Sequence, residues 1–353
     1  MQARLLAREF AAAGHSVRIL APRLDRGQKV RECIDGIRVD RLGYPRIKGL
    51  GAIWLNLRFV AWLWSRRSQF DAIHVHMMHN LAAAIGWLKP WLRVPVVVKV
   101  SGAAEFRGGL LDPKLRGKLK HRLLNAGARR LDAFQCISQH TLTMLRDAGY
   151  PPRRLHRIPN AVDCRRFATD GLEQKTPLSV VFAGRHVSVK GLDVLLRAWS
   201  LLPRRGSARL VLAGDGPEHG ALRRQAEGLG VSDSVNFPGM LDDVAPLLRA
   251  ASIYVQASRQ EGHPNAVLEG MAAGLPVLAT RISGHEDVIE HGHSGWLVEA
   301  DDPAALSMAL QTLLDEPELR QRLGRQARRY VQAGFAPDRV LASLIEVYAG
   351  PSA

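Results

Sequence analysis

The stretch Glu261-Gly-His-Pro-Asn-Ala-Val-Leu-Glu269 sets two carboxylates around a Pro-Asn step. The run that follows, Gly270-Met-Ala-Ala-Gly-Leu-Pro-Val-Leu-Ala-Thr280, is apolar enough to be buried. A carboxylate beside such a run must be paired or hydrogen-bonded. The vicinal hydroxyls of a ribose or a hexose can meet that need, because each donates an O–H to a carboxylate oxygen. On spacing alone, a structural ion pair between Glu269 and an arginine is the plainer answer. Pro264 suits the first turn of a helix, where its missing N–H costs little. The pattern therefore predicts a helix over about 265–273. Glu261 stands on the loop before it, Glu269 lies just over one turn inside, and the free amides at its start face an anion.

A second stretch supplies cations: Val181-Phe-Ala-Gly184-Arg185-His-Val-Ser-Val-Lys190-Gly191. A strand runs into Gly184-Arg185, and a short loop ends at Lys190-Gly191 before a new helix. Glycine lets a phosphate approach the backbone, and Arg185 and Lys190 set two charges beside it. The nucleoside-triphosphate loop Gly-x4-Gly-Lys-Ser/Thr is absent. Surface cations at a strand-to-helix turn read equally well. In Asp71-Ala-Ile-His74-Val-His76-Met-Met-His79 the His-x-His spacing raises a metal site. No acid-rich ligand set accompanies it. A strand-end histidine, facing a cleft or packed, is the preferred reading, and no metal is assigned.

These residues need a scaffold. At 353 residues the chain is comfortable for two domains, and 46% apolar with 23% charged residues is a soluble, globular balance. Apolar runs at 16–21, 72–76, 94–100 and 133–137, then at 178–183, 208–213, 235–237, 252–256, 276–279 and 295–298, read as strands covered on both faces. Helical patterns separate them, which makes βαβ units and a parallel α/β fold. Polar and turn residues place a linker at 166–177. The expected result is two Rossmann-like doubly wound domains, 1–165 and 178–336, with a ligand in the cleft at the carboxyl ends of the strands. A final helical pattern over 337–353 follows, expected to cross back to the first domain. The first domain lacks the opening strand and glycine-rich turn that such a fold starts with.

The formal charge of +16 calls for an anionic partner. No recognition motif or aromatic platform supports nucleic acid. The basic segment Lys114–Arg130 carries Leu115, Leu119, Leu123 and Leu124 on one helical face, which suits an anionic membrane surface or a solvated helix packed on a domain. The apolar stretch Leu50–Trp64 is too short to span a bilayer and reads as a buried or interfacial helix. Cys33, Cys136 and Cys164 lie far apart, without metal-ligand spacing, as in a reducing compartment. No signal peptide is evident, so the expected location is the cytoplasm, peripheral at the inner face of the membrane.

Taken in order, Gly184-Arg185…Lys190-Gly191, Ala213-Gly-Asp-Gly-Pro217, Asn236-Phe-Pro-Gly239, Glu261-x7-Glu269, Gly274-Leu-Pro-Val-Leu-Ala-Thr280 and Gly292-x-x-Gly295 resemble the family 4 (group 1) retaining glycosyltransferases of GT-B architecture. Gly14-His-Ser-Val, Phe70-Asp-Ala-Ile-His-Val-His76 and Arg157-Ile-Pro-Asn160-Ala-Val-Asp163 extend the resemblance over essentially the whole chain. The resemblance implies transfer of a hexose-type sugar, with retention, from a UDP- or GDP-sugar to a glycan or lipid-linked acceptor. No cofactor or metal is implied. Arg185 and Lys190 would hold the donor diphosphate and neutralise the leaving group, as metal-free catalysis requires. Glu261 would bind hydroxyls of the transferred sugar, helped by Pro264 and the amides of Asn265, Ala266 and Val267. Glu269 would grip the ribose, and the backbone of Gly239, Met240 and Leu241 would meet the base. His76, Ser101 and Glu105 are the acceptor-side candidates. The chain departs from the family at Ser101-Gly-Ala-Ala-Glu105-Phe, where many members carry a histidine, and at its missing first strand and glycine loop. Rival readings are a non-catalytic sugar-nucleotide binder, a nucleotide-sugar epimerase and a phosphorylase.

Overall fold

The computed structural model of the chain describes residues 2–47, 50–101, 105, 109–115, 117–169 and 177–350. Its backbone divides into two compact units, Met1–Ala161 with Pro337–Ala353, and Val162–Ala336.

The second unit is built on six strands: β8 (Ser179–Ala183), β9 (Arg209–Ala213), β10 (Val235–Gly239), β11 (Ile253–Gln256), β12 (Val277–Thr280) and β13 (Trp296–Val298). They form one sheet in the order β10-β9-β8-β11-β12-β13, every pair parallel. All residues of β11 and β12 are buried, as uniformly apolar strands between two helical layers must be. One layer packs through Trp199, Leu195 and Phe182, the other through Tyr254, Val267 and Met271. The strand order reverses between β8 and β11. In a parallel sheet the loops leaving such a pair diverge to opposite faces and open a crevice at the strands' carboxyl ends.

The first unit carries two sheets. β4 (Ile73–His76), β5 (Val96–Val100), β6 (Ala133–Cys136) and β7 (Leu155–Arg157) are parallel, in that order. β1 (Arg18–Pro22) pairs in parallel with β3 (Ile37–Leu42), and β3 pairs in antiparallel fashion with β2 (Arg31–Ile34). The β2–β3 hairpin turns at Asp35-Gly36, with φ of 51° and 78°, the conformation that suits a two-residue hairpin loop. No such hairpin was expected from the apolar runs, because its strands are short and half charged. The helix Pro337–Ala349 belongs to this unit: Val340 and Leu344 pack with Leu6, Ile158 and Ala161.

The boundary between units falls at Ala161–Val162, ahead of the expected linker at 166–177. Cys164–Phe167 is a helix capped by the Asp163 side chain, and Phe167 is buried with Val162 in the second unit's core. Two apolar anchors thus draw the segment into that unit. Residues 170–176 of the expected linker lie outside the described residues. Leu50–Trp64 is a helix in which only Gly51 and Leu63 are buried, so it is a surface helix and not a core one. The basic segment is helical over Leu119–Ala128, with a separate short turn at Pro113–Leu115. No helix among the described residues is long and apolar enough to cross a membrane.

Candidate functional site

In the second unit the two loops that leave the switch point carry the candidate residues. After β8 the chain passes through Gly184-Arg185 to the turn Ser188–Lys190 and the helix Leu192–Ser200. Gly191 links turn and helix in the left-handed region, φ 62°, and a Cβ there would lie 2.0 Å from the carbonyl oxygen of Ala257. Only glycine lets this turn press against the end of β11. The Gly-Asp-Gly-Pro segment after β9 backs the same loop. Gly214 has φ 133°, and a Cβ on it would meet the Gly184 carbonyl oxygen at 1.9 Å. His186 N donates to Asp215 O at 2.9 Å, which fixes the turn that presents Arg185. The Arg185 residue is exposed, and its side chain makes no ion pair or hydrogen bond among the described residues.

After β11 the chain reaches Glu261. Its Oε1 accepts from Lys190 Nζ at 2.6 Å, Ser258 Oγ at 2.8 Å and Gln256 Nε2 at 2.9 Å. Gln256 and Ser258 are buried, and Tyr254 Oη donates to Gln256 Oε1 at 2.7 Å. Burial, then the charges of Glu269 and Glu261, hold the Tyr254 phenol far above its ordinary range, so it stays a donor. One oxygen of Glu261 is thus saturated by protein donors, while Oε2 makes no hydrogen bond among the described residues. The two stretches are therefore joined: the cation of one is ion-paired to the acid of the other. An ammonium has three N–H donors, and Glu261 takes one, so Lys190 can still reach a phosphate.

The helix expected over 265–273 is present as Asn265–Ala272, with buried Pro264 at its N-cap. Of its first-turn amides, that of Asn265 donates to His263 O at 3.0 Å, while those of Ala266 and Val267 have no acceptor within the helix. Gly284 packs against the loop so closely that a Cβ would meet Glu261 O at 2.5 Å, which holds the loop in place. Glu269 faces a different environment from Glu261. It makes no ion pair among the described residues, so the structural pair with an arginine does not form. Arg166, the cation whose charge acts on it, is bound to Asp243 at 2.7 Å. Burial raises the Glu269 carboxyl from 4.5 to about 7; Arg166 opposes the rise and Asp243 adds to it. Gly239 ends β10 with φ 77°, and its carbonyl accepts from Gly214 N at 2.8 Å. Met240 beyond it is exposed, and Leu241 is partly buried.

The acceptor-side candidates converge in the first unit. Glu105 is fully buried, and its Oε1 accepts from Ser101 N at 3.0 Å and Met78 N at 3.4 Å, at the carboxyl ends of β5 and β4. His76 ends β4. Burial, then the charge of Lys99, lowers its imidazole to about 4, so it is neutral at ordinary pH. His74 on the same strand bonds Tyr348 Oη through Nδ1 at 2.6 Å. No three metal-ligating side chains converge among the described residues. Sequence reading missed Gln256 and Ser258 behind Glu261, and Lys99 beside His76. For Gln256 and Lys99 the signal was there, a polar residue inside an apolar strand; Ser258 lies in the loop after β11 and left no such trace.

Comparison with known proteins gives the family and the fold. A model of group 1 glycosyl transferases matches residues 166–330, and one of glycosyltransferase family 4 matches residues 1–166. The D-inositol 3-phosphate glycosyltransferase of Salinispora arenicola is 33% identical over 314 residues, 79% of this chain and 68% of that one. The N-acetyl-alpha-D-glucosaminyl L-malate synthase of Bacillus anthracis is 27% identical over 295 residues, 80% of this chain and 76% of that one. The crystal structure of Anabaena HepE in complex with UDP and glucose superposes with a TM-score of 0.72 at 19% identity, covering 89% of this chain and 87% of that one. The chain belongs to the family 4, group 1 glycosyltransferases and has their GT-B fold of two Rossmann-like units.

Proposed function

We propose that the chain transfers a hexose-type sugar from a UDP- or GDP-sugar to a glycan or lipid-linked acceptor, retaining the anomeric configuration and needing no metal. One observation carries this reading: Glu261 Oε1 is locked by Lys190, Gln256 and Ser258 at the switch point, leaving Oε2 for a ligand. Oε2 accepts from hydroxyls of the donor sugar. Arg185, the spare N–H groups of Lys190 and the start of the helix Asn265–Ala272 neutralise the departing diphosphate. Glu269 accepts from the ribose hydroxyls, and the backbone at 239–241 meets the base. The leaving phosphate oxygen takes the acceptor's proton on the face it departs from, which returns the sugar with retention. UDP is favoured as a first test by the complex of HepE. Two relatives carry inositol 3-phosphate and malate in their names, both small anions, which supports a soluble or lipid-borne acceptor with a charged group.

A titration of UDP, GDP and their glucose conjugates, with and without EDTA, tests the donor reading. One nucleotide class is expected to stabilise the chain with EDTA present, and Glu261→Gln is expected to lose the added affinity of the sugar conjugate over the bare nucleotide. Binding that vanishes with EDTA would refute the metal-free reading.

A peripheral place at the cytoplasmic membrane face, in polysaccharide, lipopolysaccharide or glycolipid assembly, is part of the same proposal. It is supported by the surface of the first unit. Leu119 and Leu123 on the basic helix are 71% and 52% exposed, and Leu50, Ile53, Trp54 and Leu57 are exposed on the helix Leu50–Trp64. Apolar side chains among arginines and lysines suit an anionic bilayer. Cosedimentation with anionic vesicles is expected at low salt and lost at high salt. No pelleting at low salt would exclude it.

A further inference from the structure

Two buried charged residues lie outside the donor machinery: Glu105, whose Oε1 is held by backbone amides while Oε2 has no partner among the described residues, and Lys99. Lys99 is the second-last residue of β5 and only 3% exposed, and its Nζ has no hydrogen-bond partner among the described residues. A buried ammonium ordinarily meets a carboxylate. Here nothing raises its affinity for a proton: burial alone lowers Lys99 from 10.5 to about 8, which leaves it mainly charged at neutral pH. The titratable groups beside it are the imidazoles of His74 and His76, neither of which balances its charge.

The sheet register shows that Lys99 is not isolated. His76, Lys99 and Gln135 are direct cross-strand neighbours on β4, β5 and β6, so they share one face. Gln135 is buried, and its Nε2 donates to Ile158 O at 3.0 Å and Pro159 O at 3.3 Å, just beyond β7. Its Oε1 and the Nε2 of His74 make no hydrogen bond of normal geometry, but the two side chains lie near enough for Gln135 to favour a proton on His74, so they serve each other and only Lys99 Nζ is left bare. A buried polar atom left unpartnered costs about 1–3 kcal/mol, and more for a charged group, so the bare Lys99 ammonium is not a packing solution. The row lies at the carboxyl edge of a parallel sheet, where such sheets bind ligands. Two neutral groups able to donate or accept flank one uncompensated cation. That set fits an anion with further polar atoms around it.

We propose that Lys99, flanked by His76 and Gln135, anchors an anionic group of the acceptor, a phosphate or a carboxylate. The assignment rests on the glycosyltransferase reading above and names the substrate class its first unit takes. Lys99 binds the acceptor's charge and so sets which acceptor is used; it takes no part in breaking the donor bond.

Calorimetric titration of the full chain tests this. Arg185→Gln/Lys190→Gln serves as the background, which removes the phosphate-binding cations of the second unit. The probes are inorganic phosphate and malate, with myo-inositol as the uncharged control. Saturable binding of phosphate or of malate is expected, and whichever binds identifies the anion. Lys99→Met in that background is expected to weaken it at least tenfold, with myo-inositol inert throughout. Lys99→Gln, which keeps a polar side chain, is expected to do the same, and it replaces the methionine variant should that one fail to fold. Anion binding that Lys99 substitution leaves unchanged places the anion on surface arginines and overturns the proposal, as does a background that binds neither anion. UDP binding to the otherwise unaltered Lys99→Met chain is expected to match wild type. Failure of both UDP and GDP to bind wild type would sink the donor reading, separately from these arms.

Discussion

Glu269→Gln isolates the energetic consequence of burying an unpaired acid. In the folded chain the Glu269 carboxyl titrates at about 7, against an ordinary 4.5, chiefly through burial. The folded state therefore holds a proton that the unfolded state has released between those two values. By linkage, this group's contribution falls as pH rises through that window and is constant above it. At ~1.4 kcal/mol per pH unit, the full difference is about 3 kcal/mol. Glutamine has a similar shape and does not titrate. The variant is thus expected to match wild type near pH 4.5 and to exceed its stability above pH 7 by as much as about 3 kcal/mol. For a unit of this size that is a rise of roughly 6–12 °C in Tm. Thermal unfolding of both chains between pH 5 and 8 reads it directly. Parallel pH slopes in the two chains would refute the assignment of a partly buried, uncompensated carboxyl. The proposed ribose role adds a second readout. Hydroxyls donate to the ionised form, so nucleotide binding at pH 6 should release a proton, and affinity should climb with pH through about 7. Glu269→Gln should lose both the affinity and the slope, although it is the more stable protein. Stabilisation with undiminished nucleotide binding would leave Glu269 buried but without the ribose role.

Gly191→Ala must hold a side chain at φ 62° with its Cβ 2.0 Å from the Ala257 carbonyl oxygen. It should destabilise the second unit by about 2 kcal/mol or more. Gly228→Ala, in a helix with open space around it, should be neutral or stabilising in the same unfolding assay. Equal Tm values for the two variants would contradict the close approach. Lys190→Met leaves Glu261 with two neutral donors and no counter-charge. It should cost about 1–3 kcal/mol and weaken nucleotide diphosphate binding more than nucleoside binding, by calorimetry. Lys190→Met/Glu261→Gln should regain much of the stability and none of the affinity.

Much of the scaffold was legible because burial on both faces leaves a simple trace. Every apolar run taken as a strand overlaps one, with ends moved by a residue or two, whereas the three-residue β7 was not anticipated. The helix Asn265–Ala272 followed from Pro264 and the apolar positions after it. The β2–β3 hairpin was not legible, since its six-residue strand alternates and carries Arg38, Asp40 and Arg41. The chemistry was readable by residue type but not by partnership. Glu261 and Lys190 lie 71 positions apart, and which acid meets the lysine depends on the strand order reversing between β8 and β11. Glu269, the acid expected to be ion-paired on spacing alone, is the unpaired one, because Asp243 takes Arg166 first.

That exchange of partners has a consequence for how the two acids can serve one ligand. Glu261 is held on one oxygen by three donors, one of them charged, so its ionised form is already compensated before any ligand arrives. A sugar hydroxyl reaching Oε2 meets a fixed, charged acceptor, with no side chain to reorient. Glu269 has no such partner and rests largely protonated at pH 6. It becomes a good acceptor only when ligand hydroxyls compensate its charge. Binding at Glu269 therefore gains strength with rising pH, whereas the geometry at Glu261 is set beforehand by Lys190, Gln256 and Ser258. A donor analogue lacking the ribose hydroxyls should bind with a flat pH profile between pH 6 and 8.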